Sequence, residues 1–122
     1  MTKKAKAPNP FAGRWRIVSM EQWDQDFVDE EVEGYFEFDD KGWGSFHFGD
    51  VHGTIDGRLT TRDGEPAIER TSDGNDEMDA AQGRGWAVIK EGELHGMIFF
   101  HGGDDSGFVA RKEGPARRKT KR

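Results

Sequence analysis

From Gly13 onward, apolar and polar residues alternate with a period of two, the spacing of strands, not the 3.6 of helices. Phe36 and Phe38 fall on one face, as do Phe46 and Phe48. Ile55 and Leu59 share another, with Gly53 and Gly57 beside them, and Leu94, Ile98 and Phe100 keep the same period. Gly/Asp-rich interruptions recur every 8–12 residues, the interval expected of a sandwich or barrel. This pattern predicts strands near 13–21, 33–39, 43–48, 51–61, 66–72, 84–90, 93–100 and 107–112. Only 21–31 departs from it: Trp23 and Phe27, four apart, predict one short helical turn.

The turns set the register. Asp63-Gly64 is a type I′ signal, and a two-residue loop there places Leu59 opposite Ile68 and Arg58 opposite Glu69, an apolar pair and an ion pair on opposite faces. Gly49-Asp50 suits a type II′ turn pairing Phe48 with Val51 and His47 with His52. Asp39-Asp40-Lys41-Gly42 suits a type I turn closed by a left-handed glycine. Arg70 and Ser72 fall where the core requires an inward face, so either the register breaks there or the barrel carries a polar patch near one mouth.

Short turns make consecutive strands neighbours, which predicts an all-β fold: one eight-stranded antiparallel up-and-down meander closing into a small barrel. Loops 22–32, 49–50, 73–83 and 101–106 then share one end, and the tight turns near 39–42, 62–65 and 91–92 share the other. The first group holds Asp24, Asp26, Asp29, Glu30, Glu31, Asp50, Asp73, Asp76, Glu77, Asp79, Asp104 and Asp105, and no Lys or Arg. An open acidic mouth above a closed base is expected.

Length sharpens this to one domain, since 122 residues suit a single core. The formal net charge of −6 conceals a segregation. Residues 1–10 carry Lys3, Lys4 and Lys6. Residues 111–122 carry seven basic side chains against Glu113, leaving 11–110 strongly acidic. The expected organisation is a disordered basic tail over 1–10, a barrel over 11–112 and a second disordered basic tail over 113–122, both tails leaving from the base. The acidic body opposes polyanion binding, so solubilising tails are preferred over nucleic-acid-binding arms. No apolar run approaches the ~20 residues of a membrane span. The absence of cysteine excludes disulfides and thiolate metal sites, and the start lacks a signal-peptide apolar core, so a cytoplasmic location is expected.

Gly13-Arg14-Trp15 near the start of the first strand, with Arg111 past the last apolar strand residues, resembles the calycin superfamily of lipocalins, fatty-acid-binding proteins and avidins. There a Gly-x-Trp opens the first strand, and in lipocalins a late basic residue packs over that tryptophan at the closed end. The resemblance implies the same small barrel, with Gly13, Trp15 and Arg111 as its structural signature and 22–32 as a large loop at the mouth. The chain departs from lipocalins in length and in lacking a C-terminal helix pattern. Trp15-Arg16-Ile17 with Glu21-Gln22-Trp23-Asp24, and the late His101-Gly102-Gly103-Asp104-Asp105-Ser106-Gly107-Phe108, also resemble small uncharacterised bacterial proteins.

Each chemical motif has a plainer rival. The acidic run 73–79 suggests calcium, but Met78 stands where an EF-hand needs glycine and Arg84 where it needs glutamate, so solvated acids are expected. His47 and His52 would face each other across strands and point outward, as surface imidazoles. His101, Asp104, Asp105 and Ser106 lie within one connection without a nucleophile elbow, so a catalytic triad is not expected. No metal, cofactor or catalytic residue is assigned, and the chain leans away from enzymes.

The aromatics carry the functional reading. Four tryptophans, nine phenylalanines and one tyrosine stand out in an otherwise polar chain. The inward rings favour a filled interior, while Gly44, Gly53, Gly57 and Gly96 on the same faces open space, so filled and hollow barrels both remain open. The leading expectation is a non-enzymatic binding module whose acidic mouth takes a small amphipathic or cationic ligand through Trp23, Phe27, Asp76, Glu77, Trp86 and Asp104. The alternative is a filled barrel whose acidic end docks a basic partner. Outward aromatics such as Trp43 and Phe99 would, if clustered, make a homodimer surface.

Overall fold

The computed structural model of the protein describes residues 9–76 and 79–113. Eight antiparallel strands close into a barrel in sequence order: β1 (Gly13–Met20), β2 (Tyr35–Phe38), β3 (Trp43–Phe48), β4 (Val51–Arg62), β5 (Glu65–Asp76), β6 (Asp79–Lys90), β7 (Glu93–Phe100) and β8 (Asp105–Lys112). The one helix among the described residues is a single turn, α1 (Gln25–Val28). Each short connection joins strands that pair, which is why the order never crosses.

Several predicted pairings hold residue for residue. Leu59 faces Ile68, Arg58 faces Glu69, Phe48 faces Val51 and His47 faces His52. Asp63 and Gly64 both take positive φ, 52° and 81°, as a type I′ turn demands. The ion pair drawn between Arg58 and Glu69 does not form; Arg58 instead binds Asp56 on its own strand at 3.2 Å. Leu59 is 55% exposed although Ile68 is fully buried. Pairing of β3 with β4 begins only at Trp43↔Asp56, so the β4–β5 hairpin runs past its neighbour and leaves Leu59 uncovered.

The largest difference lies at β5 and β6. The expected loop 73–83 is mostly strand: β5 and β6 pair continuously from Ala67↔Val88 to Asp76↔Asp79. Gly53 and Gly74 stand in register, and a Cβ on Gly53 would lie 2.6 Å from the Gly74 Cα. Gly74, which the sequence placed in a loop, therefore serves close strand approach, and Asp73 beside it is exposed.

Phe36, Phe46, Phe48, Phe108, Ile55, Ile68, Leu94 and Ile98 fill the lumen, each at most 4% exposed. At the base, Trp15 donates its indole N–H to the Phe11 carbonyl at 2.9 Å. The cation over Trp15 is Lys112, its Nζ 4.8 Å from the ring centroid, and not Arg111. Alternation from buried Phe108 and Ala110 turns Lys112 toward the barrel and Arg111 outward, where it binds Glu93 at 2.7 Å. Asn9, assigned to the tail, is buried and donates to the carbonyls of Asp39 and Asp40, both at 3.3 Å. The rest of the expected tails, 1–8 and 114–122, lies outside the described residues. Trp43 on β3 and Phe99 on β7 stand on opposite sides of the closed strand order, so they form no single patch.

Candidate functional site

At the mouth, Asp24 caps α1 by accepting the Phe27 N–H at 3.0 Å. Val28 is fully buried and its carbonyl accepts the Gly49 N–H at 2.8 Å, tying α1 to the β3–β4 turn. The Phe27 ring lies over Gly49, whose positive φ of 59° suits glycine and where an added Cβ would force the ring to shift. The Trp23 ring contacts Phe27, Phe48 and Phe100, at centroid distances of 6.1, 5.3 and 6.3 Å. The mouth expected to be open is therefore stoppered by aromatic rings, because burying Trp23, Phe27 and Val28 against the core outweighs their exposure in a loop.

Beside this stopper is a cleft of about 210 Å³ lined by Trp23, Val51, Ala81, Phe100, His101 and Asp104 among others. It joins two of the residues expected to bind ligand, Trp23 and Asp104. Phe27 packs beneath Trp23 and belongs to the stopper. Asp76 ends β5 opposite Asp79; its side chain, and Glu77 entirely, lie outside the described residues.

Trp86 is a correction. Gly85 and Ala87 are buried on the inner face, so alternation turns Trp86 outward between Glu69 and Met97. Its ring carries the Arg62 guanidinium at 3.9 Å and lines an outer groove of about 480 Å³ with Arg58, Glu69, Arg84 and Phe99. It stands on the barrel wall, away from the mouth.

His47 and His52 face each other with ring centroids 5.4 Å apart, and His47 contacts Glu31 at 3.1 Å. Among the described residues no group of three or more His, Asp or Glu side chains could hold a metal. Ser106 is fully buried, receiving the Gln22 N–H at 3.1 Å and donating to the Gly107 carbonyl, so its hydroxyl is occupied by structure.

The residues that sequence reasoning did not include in a site are Arg70 and Ser72. The register does not break: both point into the lumen, 3% and 6% exposed. Neither Arg70 Nη1 nor Nη2 has a hydrogen-bond partner among the described residues, and neither has the Ser72 Oγ. The guanidinium lies 4.7 Å from the Phe36 centroid and 5.9 Å from that of Phe108. Burial lowers its pKa to about 10, so it is charged at neutral pH. Relative to an unfolded arginine, that shift corresponds to a cost on the order of 3 kcal/mol, present at every pH below about 10 and relieved only above it. Two ring faces return about 0.5–2 kcal/mol each, but a ring face does not replace the hydrogen-bond acceptors that Nη1 and Nη2 lack among the described residues. The available signal was inward alternation of Arg70 between Gly57 and Gly85, its register neighbours.

No protein-family model, curated protein or solved structure matches this chain.

Proposed function

We propose that the protein is a non-enzymatic binding module of calycin-like architecture, whose acidic rim recognises a small amphipathic or cationic ligand. The observation that carries this reading is the rim cleft in which Trp23 and Asp104 meet. An indole face attracts a cation, a carboxylate supplies the countercharge, and Val51, Ala81 and Phe100 favour an attached apolar group. At about 210 Å³ the cleft suits a head group, below the roughly 300 Å³ of ordinary ligand pockets, so the remainder of the ligand rests on the surface. The unbroken strand order and the cation over Trp15 support the calycin comparison.

The filled lumen favours a second reading, in which the same acidic rim docks a basic protein segment. Fluorescence titration with alkyl- and arylammonium ions tests the first. A saturable tryptophan signal, lost in Trp23→Phe and weakened about tenfold in Asp104→Asn, is expected for a charge-assisted contact of about 1.4 kcal/mol. A signal from lysine-rich peptides alone would favour the second reading, and no saturable signal from either would reject both.

A further inference from the structure

We propose that the barrel lumen contains a binding site for one small monovalent anion, held by the Arg70 guanidinium and the Ser72 hydroxyl. The two side chains are two apart on β5 and project to the same inner face. Both are buried, and Arg70 Nη1 and Nη2 and the Ser72 Oγ are unpartnered among the described residues. This donor set has a definite preference: a guanidinium only donates, a serine hydroxyl can donate once, and an acceptor carrying one negative charge satisfies both.

The surroundings are arranged around that guanidinium. Its register neighbours Gly57 and Gly85 contribute no side chains, and Gly83 stands beside Ser72. A Cβ on Gly85 would lie 3.3 Å from Arg70 Nη2, so the glycine leaves the space in which the fork lies. Glu69, the preceding carboxylate, is exposed on the opposite face of the strand. No ion pair joins Arg70 to a described carboxylate. The core around them is packed with aromatic and aliphatic side chains, so the smallest monoanions are the candidates: a halide or a short carboxylate such as formate or acetate. This site is separate from the rim cleft and opposite to it in preferred charge, so it stands or falls independently of the rim reading.

Thermal unfolding of the full chain tests the proposal, with bromide, chloride, formate and acetate titrated at constant ionic strength against bulky gluconate. Wild type should be stabilised saturably by at least one of these. A hundredfold excess over Kd raises the folding constant about a hundredfold. Arg70→Met, long and uncharged, should respond to none. Stabilisation by bromide and chloride alone identifies a halide site; stabilisation by formate or acetate alone identifies a carboxylate site; a response to both classes identifies a general monoanion site. Equal responses of wild type and Arg70→Met, or none in wild type, overturn the proposal. Should Arg70→Met fail to fold, nitrogen NMR of the wild-type Arg70 side chain decides: a saturable shift with the anion supports the site, and an unmoved resonance rejects it.

Discussion

Arg70 and Arg111 show how far two arginines diverge through the face they occupy. Arg111 is on the outer wall and holds Glu93 at 2.7 Å, and that hydrogen bond, aided by His95, draws the Glu93 carboxyl below its usual range. A carboxylate with a depressed folded pKa stabilises the fold above its unfolded pKa and loses that contribution as pH falls through the folded value. Arg111→Ala should therefore move the Glu93 titration to higher pH, read from its side-chain carbonyl NMR shift, with the acid limb of stability slightly flattened. An unchanged Glu93 midpoint would show that the contact does not persist in solution. Arg70 has no such countercharge among the described residues, which is the ground for placing an anion beside it.

Among the elements, β5 and β6 matter most for where function can sit. Their inward faces carry Arg70, Ser72, Gly74, Gly83, Gly85 and Ala87, while β2, β3 and β8 supply the phenylalanines. Small residues on one wall make room for large ones on the other, and Arg70 crosses the space between them. The Gly53–Gly74 approach holds β4 against β5 along the mouth end. Gly53→Ala should cost about 1–3 kcal/mol through overpacking, measured as a lowered urea midpoint with an unchanged slope. Stability equal to wild type would mean that the two backbones can separate without loss. The β1–β8 pairing shows another device. Its register shifts between Ile17 and Ser19, which turns Met20 inward after Trp15 and Ile17 and keeps the strand's last side chain in the core.

At the scale of the whole molecule, charge is arranged by topology. The connections after β1, β3 and β7 share the mouth with the paired strand ends Asp76 and Asp79, whereas Asn9 and Glu113 lie at the base beside the β2–β3 turn and Arg14. Asp24, Asp26, Asp50 and Asp104, from distant parts of the sequence, lie on the described connections at that end. Their mutual repulsion opposes folding and is screened within about 10 Å at 0.1 M salt. Raising sodium gluconate should increase the melting temperature by a few degrees, equally in wild type and Arg70→Met. A flat response would show that the rim carboxylates are too far apart to repel. The same collection of charge underlies the proposed recognition of cations at the rim.

Alternation, turn chemistry and short connections were sufficient in the sequence to determine the all-β class, the strand order and pairings such as Leu59 with Ile68. These are local properties, and a slip of one residue would expose a whole apolar face. The inward direction of Arg70 was legible for the same reason. Other features depended on neighbours that no local window contains. The strand conformation of 73–76 comes from pairing with β4, and the closed mouth from Trp23 meeting Phe48 and Phe100. Tertiary structure also decided that Lys112, not Arg111, covers Trp15, and that Arg70 is buried without a partner among the described residues. Burial and pairing belong to groups brought together across the barrel, so only the folded chain assigns them.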